Sequence, residues 1–291
     1  FATNRLDGLA DLTRRAEKLL DPQHGYPETF FDEALDGVAD FLAAVGTRPL
    51  NQIAQPGAAP MPPLVMLNLP SCDVLINGRG PFRMVVDTGG SIMVALDQAV
   101  ADELGLKSIA KSTVRGASGK TESGQVLLDE LQIGTIKCQR VMCRTFDVRG
   151  AIMNAADGII GTGIFMQGRM TLDFAGGQLH VARSAETAGA GRVVDMRLMS
   201  DAKLIVPVKL EGRPALALLD TGADVVALAP SALKQLFPER EFPTFEPGVA
   251  IGIGSGENMQ ISTSNGATLL FGGREFKNYG GLGLDALDKT L

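Results

Sequence analysis

Two aliphatic stretches in this chain run into the same three residues. Met84-Val85-Val86 leads into Asp87-Thr88-Gly89, and Leu216-Ala217-Leu218-Leu219 leads into Asp220-Thr221-Gly222. At average residue usage two such tripeptides arise by accident in roughly one chain of this size in several hundred. The flanks repeat too. Sliding the sequence by the 133 positions between the two aspartates aligns Pro81 with Pro214, Val86 with Leu219, Ile92-Met93 with Val225-Val226, and Ala99 with Ala232. Asn77-Gly78-Arg79 and Glu211-Gly212-Arg213 correspond after a one-residue gap. This is the signature of a duplicated unit in which a turn feeds a strand that ends at an aspartate. One buried carboxylate does little alone, whereas two brought face to face share a proton and activate water.

With 291 residues and 45% hydrophobic content the chain can build more than one core, and its length suggests two domains. Thirty-five Gly, 15 Pro and short Val/Ile/Leu runs broken by Gly predict a mainly β architecture with many tight turns. A formal charge of −6 with no basic block argues against nucleic acid or an anionic membrane as partner, and a chain with no Trp and two Tyr offers no platform for stacking bases. The two histidines, His24 and His180, lie far apart and have no metal-ligand spacing, which argues against a zinc hydrolase. No Gly-x-Ser-x-Gly elbow is present. Cys72, Cys138 and Cys143 are too few for a disulfide scaffold, and their odd number leaves at least one thiol unpaired. Cys138 and Cys143 read as half-buried strand residues, with a disulfide between them as the rival. No apolar stretch approaches the twenty residues that cross a bilayer. The chain begins at Phe1, which reads as either a processed or a trimmed form, and residue order leaves open whether an export signal or anchor preceded it.

Residues 1–46 read as two helices, unlike the rest. Leu6, Leu9, Leu12, Ala16, Leu19 and Leu20 share one face before Asp21-Pro22, and Phe31, Leu35, Val38, Leu42 and Val45 form a second stripe ending at Gly46, a C-cap. This segment is either a hairpin packed on the main body or a regulatory, pro-like arm that covers a cleft. Residues 47–63 carry five prolines, Pro49, Pro56, Pro60, Pro62 and Pro63, and suit an extended linker. A first lobe is expected over 64–190, with strands near 72–77, 81–86 and 92–96, a helix beginning at Asp97, a long hairpin, Asp157-Gly158-Ile159-Ile160-Gly161, and closing strands near 170–174 and 179–181. The order restarts over 191–291, with strands near 203–210 and 213–219 and a helix after Pro230. The second unit has no closing strands before Leu291, so the natural protein is expected to continue.

Residues 64 to 291 resemble the aspartic peptidases of the retropepsin-like branch. Three features per lobe carry the resemblance: the Asp-Thr-Gly, a later hydrophobic-hydrophobic-Gly (Ile159-Ile160-Gly161, and Gly281-Leu282-Gly283 with Gly in the first slot), and a glycine-rich hairpin between them. The resemblance implies two pseudo-symmetric acid-protease lobes, Asp87 and Asp220 as the catalytic pair, and Thr88, Gly89, Thr221 and Gly222 as their support. It implies flaps at Gly116-Ala117-Ser118-Gly119 and Gly252-Ile253-Gly254, although ordinary turns would read the same way, and it places Asp224 near substrate. Protein or peptide substrates follow, with no cofactor. Bacterial members of this branch are often periplasmic or membrane-tethered, which the resemblance carries over as an exported location. The residues after each Asp-Thr-Gly are Gly90 and Ala223, where pepsin-like members have a hydroxyl, and the loss of those donors implies a less acidic dyad. The alternative is a peptide-binding module of the same fold without turnover, against which both retained triads count.

Overall fold

The computed structural model describes residues 37–64, 67–90, 94–116, 119–183, 191–199, 203–223, 226–239, 246–248 and 259–284. The first predicted helix, and the second as far as residue 36, lie outside them. What is described of the second is α1 (Val38–Val45), which follows a left-handed Gly37 and ends at Gly46, whose N–H returns to the Leu42 carbonyl. Its buried face, Val38, Phe41 and Leu42, packs on Leu50 and Met142, with Ala110 and Leu127 alongside. The Arg140 guanidinium donates to the Val45 carbonyl at 2.8 Å, satisfying one of the carbonyls that a helix end leaves open.

The Pro-rich stretch expected as a linker is stitched into the body. It forms β1 (Gln52–Gln55) and β2 (Gly57–Pro60). Pro56 sits between the two strands and Pro60 at the end of one, where a missing N–H is tolerated.

β3 (Ser71–Ile76) and β4 (Arg79–Asp87) follow, joined by Asn77-Gly78, both with positive φ, the turn that suits the twist of a hairpin. β5 (Val94–Asp97) leads into α2 (Gln98–Leu104), whose second amide, Ala99 N–H, bonds the Asp97 side chain at 3.0 Å. Next come β6 (Ala110–Gly116), β7 (Gly119–Ile133) and β8 (Ile136–Phe146), then the single turn α3 (Val148–Ala151). β9 (Gly158–Gly161), a 3-10 turn (Thr162–Phe165), β10 (Gly168–Asp173) and β11 (Gln178–Arg183) complete the lobe.

The sheet order is β1-β8-β5-β9-β4-β3-β7-β6, and an added β7–β8 pairing closes it into a barrel. A second layer, β10-β11-β2, covers one side and places Leu179, Val181 and Ala59 in the same core as Val74, Met84, Ile133 and Ile160. β9 runs parallel to β4 and antiparallel to β5, so the strand that carries Asp87 has a neighbour on each edge. Met84, Val85 and Val86 are consequently all buried, as in a strand covered on both faces.

The second lobe repeats the plan with β12 (Arg197–Leu198), β13 (Leu204–Leu210), β14 (Arg213–Leu218), β15 (Val226–Leu228), α4 (Pro230–Leu236), β16 (Glu246–Gly248), β17 (Met259–Phe271) and β18 (Arg274–Leu284). The turn Glu211-Gly212 has the same positive φ pair as Asn77-Gly78. Gly281-Leu282-Gly283, expected as the counterpart of Ile159-Ile160-Gly161, lies instead on β18, parallel to β15, the relation that β8 has to β5 in the first lobe. Antiparallel zipping of β17 with β18 from the Gly272-Gly273 turn onward carries those residues along the hairpin.

All three cysteines are free and buried, so Cys138 and Cys143 form no disulfide. Burial pushes the Cys72 and Cys138 thiols up to about 12, which keeps them inert as nucleophiles. His180 stands on β11 with an exposed side chain.

Because Phe41 is fully buried against the first lobe, Phe41→Ala should destabilise that lobe by about 3 kcal/mol, read as a lower melting temperature. An unchanged transition would show that α1 is not part of the folded unit.

Candidate active site

The two duplicated strands, β4 and β14, end at loops that meet each other. Thr88 N–H donates to Thr221 Oγ1 at 3.1 Å, and Thr221 N–H donates to Thr88 Oγ1 at 3.0 Å. Each hydroxyl then donates onward across the axis, Thr88 to the Leu219 carbonyl and Thr221 to the Val86 carbonyl, both at 2.6 Å. A hydroxyl that both accepts and donates is required at each position, and the carbonyls it reaches belong to the residues just before the opposite aspartates. Four hydrogen bonds therefore fix the distance between the loops.

The glycines permit this approach. A Cβ on Gly89 would stand 2.2 Å from the Asp220 carboxyl carbon, and one on Gly222 would stand 2.6 Å from that of Asp87. No side chain fits at either place. Each glycine also orients its own aspartate: Gly89 and Gly90 N–H donate to Asp87 Oδ1 at 2.8 and 2.9 Å, and Gly222 N–H donates to Asp220 Oδ1 at 2.7 Å. The two carboxyls lie close enough to interact through charge and a side-chain hydrogen bond.

Such a pair resists carrying two charges. Burial, followed by the Asp220 charge and the shared hydrogen bond, pushes Asp87 up from the ordinary 3.8 to about 7, against the opposing pull of the Gly90 and Gly89 amides. The pair accordingly holds one proton over a wide range below neutrality.

Of the other residues expected at the site, Gly116 and Gly119 pair with each other at the end of the β6–β7 hairpin. Ala117 and Ser118 lie outside the described residues, as do Gly252, Ile253, Gly254 and Asp224. The second glycine-rich segment falls between β16 and β17, which pair as β6 and β7 do. Among the described residues no three His, Cys, Asp or Glu side chains converge as metal ligands would. Two contributors were not legible in the sequence: the Val86 and Leu219 carbonyls, which accept from the threonines, carry no residue-type signal because they are backbone atoms.

The family described as "Aspartyl protease" matches residues 72–164. Among solved structures, a retropepsin-like aspartic protease from Rickettsia conorii is 16% identical over 44% of this chain and 91% of its own, with a TM-score of 0.32. The EIAV protease complexed with the inhibitor HBY-793 is 24% identical over 28% of this chain and 74% of its own, with a TM-score of 0.24. No curated protein sequence matches.

The raised carboxyl has a consequence for stability. Because folded Asp87 holds its proton more tightly than the unfolded chain does, its contribution to stability is full below about pH 4 and is lost as pH rises through about 7. Asp87→Asn removes that burden. Its melting temperature should exceed that of the parent by several degrees near pH 8 and converge with it near pH 4; a variant less stable at both would show that Asp87 is not held against its ionisation. β4, Asp87-Thr88-Gly89 and β9 all lie inside the span, residues 72–164, that is similar to the aspartyl protease family.

Proposed function

We propose that this chain is an aspartic endopeptidase whose two lobes supply one reacting carboxylate each, Asp87 and Asp220. The observation that carries this reading is the reciprocal threonine lock, which holds two carboxyls in hydrogen-bonding contact despite the electrostatic cost. A module that only bound peptides would have no use for that cost.

In this reading the dyad enters the reaction with one proton. The ionised member takes a proton from water as the oxygen attacks the scissile carbonyl, and the protonated member donates to the carbonyl oxygen, giving a gem-diol without metal or covalent intermediate. Return of a proton to the nitrogen then lets the C–N bond break. The loop amides of Gly89, Gly90 and Gly222 keep each carboxyl in plane and stabilise whichever one carries the charge. The β6–β7 hairpin, and the segment between β16 and β17, fit the role of flaps over an extended substrate, with backbone amides as donors. Having both lobes on one chain removes the need for dimerisation to complete the site.

The experiment is cleavage of an unstructured protein by the parent chain, Asp87→Asn and Asp220→Asn. Each variant should lose about a thousandfold in rate or more. The parent's rate should fall as pH rises through about 7, where the shared proton leaves. Equal cleavage by the parent and both variants would sink the dyad. Tight peptide binding without turnover by the parent would instead favour the non-catalytic reading.

A further inference from the structure

We propose that Asp157, the first residue of Asp157-Gly158-Ile159-Ile160-Gly161, is a positioning residue for the dyad, setting the register of β9 beside the strand that ends in Asp87. The proposal rests on Asp87 and Asp220 as the reacting pair. Asp157 stands where the chain enters the slot between β4 and β5, and it is tied to three elements at once. Its Oδ2 accepts the Arg83 N–H of β4 at 2.8 Å, and its own N–H donates to the Arg83 carbonyl at 2.7 Å. Its carbonyl accepts the Asp97 N–H at the end of β5 at 2.8 Å. Its Oδ1 accepts from Arg149 of α3 through Nε at 3.1 Å and Nη2 at 2.6 Å. Arg149 N–H in turn donates to Asp97 Oδ2 at 2.9 Å, which closes a ring through β4, β5 and α3.

A parallel pair has evenly spaced bonds and no turn to fix its register, so something else must hold it. Gly158 contributes by shape, since a Cβ there would stand 2.4 Å from the Ala95 carbonyl oxygen and 2.5 Å from Met84 Cε. Asp157 contributes by hydrogen bonding. From that anchor the pairs run Met84 with Gly158, Val85 with Ile159, Val86 with Ile160, and Asp87 with Gly161. The anchor lies about 13 Å from the aspartate at ordinary strand rise. The Val86 carbonyl, which accepts from Thr221, lies on the same rail, so a shift of β9 reaches both the carboxylate and the lock that spaces it.

The test uses the full chain with Asp157→Asn, Arg149→Met and, as a control, Asp73→Asn. An amide at 157 keeps the shape, but whichever way it sits it turns an N–H2 toward either Arg83 N–H or Arg149, so one grip is lost. Asp73 pairs with the Arg83 side chain on the same strand without touching β9. Carboxyl carbon NMR of 13C-aspartate-labelled protein, with the dyad signals assigned from Asp87→Asn, follows the titration of the pair whether or not the parent cleaves anything. Expected are a downward shift of the pair's upper titration by about one pH unit in Asp157→Asn and Arg149→Met, none in Asp73→Asn, and, in cleavage assays, kcat lowered about tenfold with KM within about twofold. Arg149→Lys, which keeps a donor and the charge, should recover part of both. An unchanged dyad titration in folded Asp157→Asn or Arg149→Met overturns the proposal. If Asp157→Asn does not fold, Arg149→Met decides alone. If the parent neither cleaves nor shows a shared dyad titration, the underlying reading fails instead.

Discussion

Everything at the centre of this molecule depends on two threonines that bond to each other's backbones. Burying two carboxyls side by side is unfavourable, and left to themselves the loops would part until water separated the charges. The amide-to-hydroxyl bonds between Thr88 and Thr221, and the hydroxyl-to-carbonyl bonds beyond them, prevent that. The two hydroxyl-to-carbonyl bonds are short, and all four polarise one another and join residues that precede and follow the aspartates, so the loops cannot separate without breaking them. The Asp87 carboxyl is raised first by its burial and then by the Asp220 charge that this arrangement keeps beside it.

The barrel explains why so precise an arrangement can be held. In the first lobe the strand that delivers Asp87 is paired on both edges and buried on both faces, within a closed ring of strands and beneath a second layer. Its end is then a rigid mount, which catalysis by positioned groups requires. In the second lobe Ala217, Leu218 and Leu219 are only half-buried, although they follow the same path toward Asp220. The duplicated units thus share a plan but differ in how firmly they hold their aspartates. The N-terminal region adds to the firmer side: α1 packs on Met142 and Leu127, while β1 and β2 extend the two sheets of the first lobe.

The duplicated Asp-Thr-Gly, the positive-φ turns before each β4-type strand, the Asp97 cap and the helix after Pro230 were all readable from residue order, because each is a local matter of backbone geometry or of one side chain reaching its neighbour. The mainly β character followed likewise from the short aliphatic runs. Other features depended on partners far along the chain. The Pro-rich segment looked like a tether because prolines lack a donor, yet it became two strands once β8 and β11 offered edges that those prolines do not obstruct. Gly281-Leu282-Gly283 looked like the match of Ile159-Ile160-Gly161, but the hairpin that contains it dictated its place.

Residue order also singled out two acids worth pairing, since a carboxylate followed by Thr-Gly at the end of an aliphatic strand is chemically suggestive wherever it stands. It could not say that they touch. Contact required loops 133 residues apart to be drawn together by hydroxyls reaching across to the carbonyls of Val86 and Leu219, and backbone carbonyls look alike in any sequence. The raised titration of Asp87 is likewise a property of its desolvation and of that contact, neither of which exists until both lobes are folded and the strands behind them are in register.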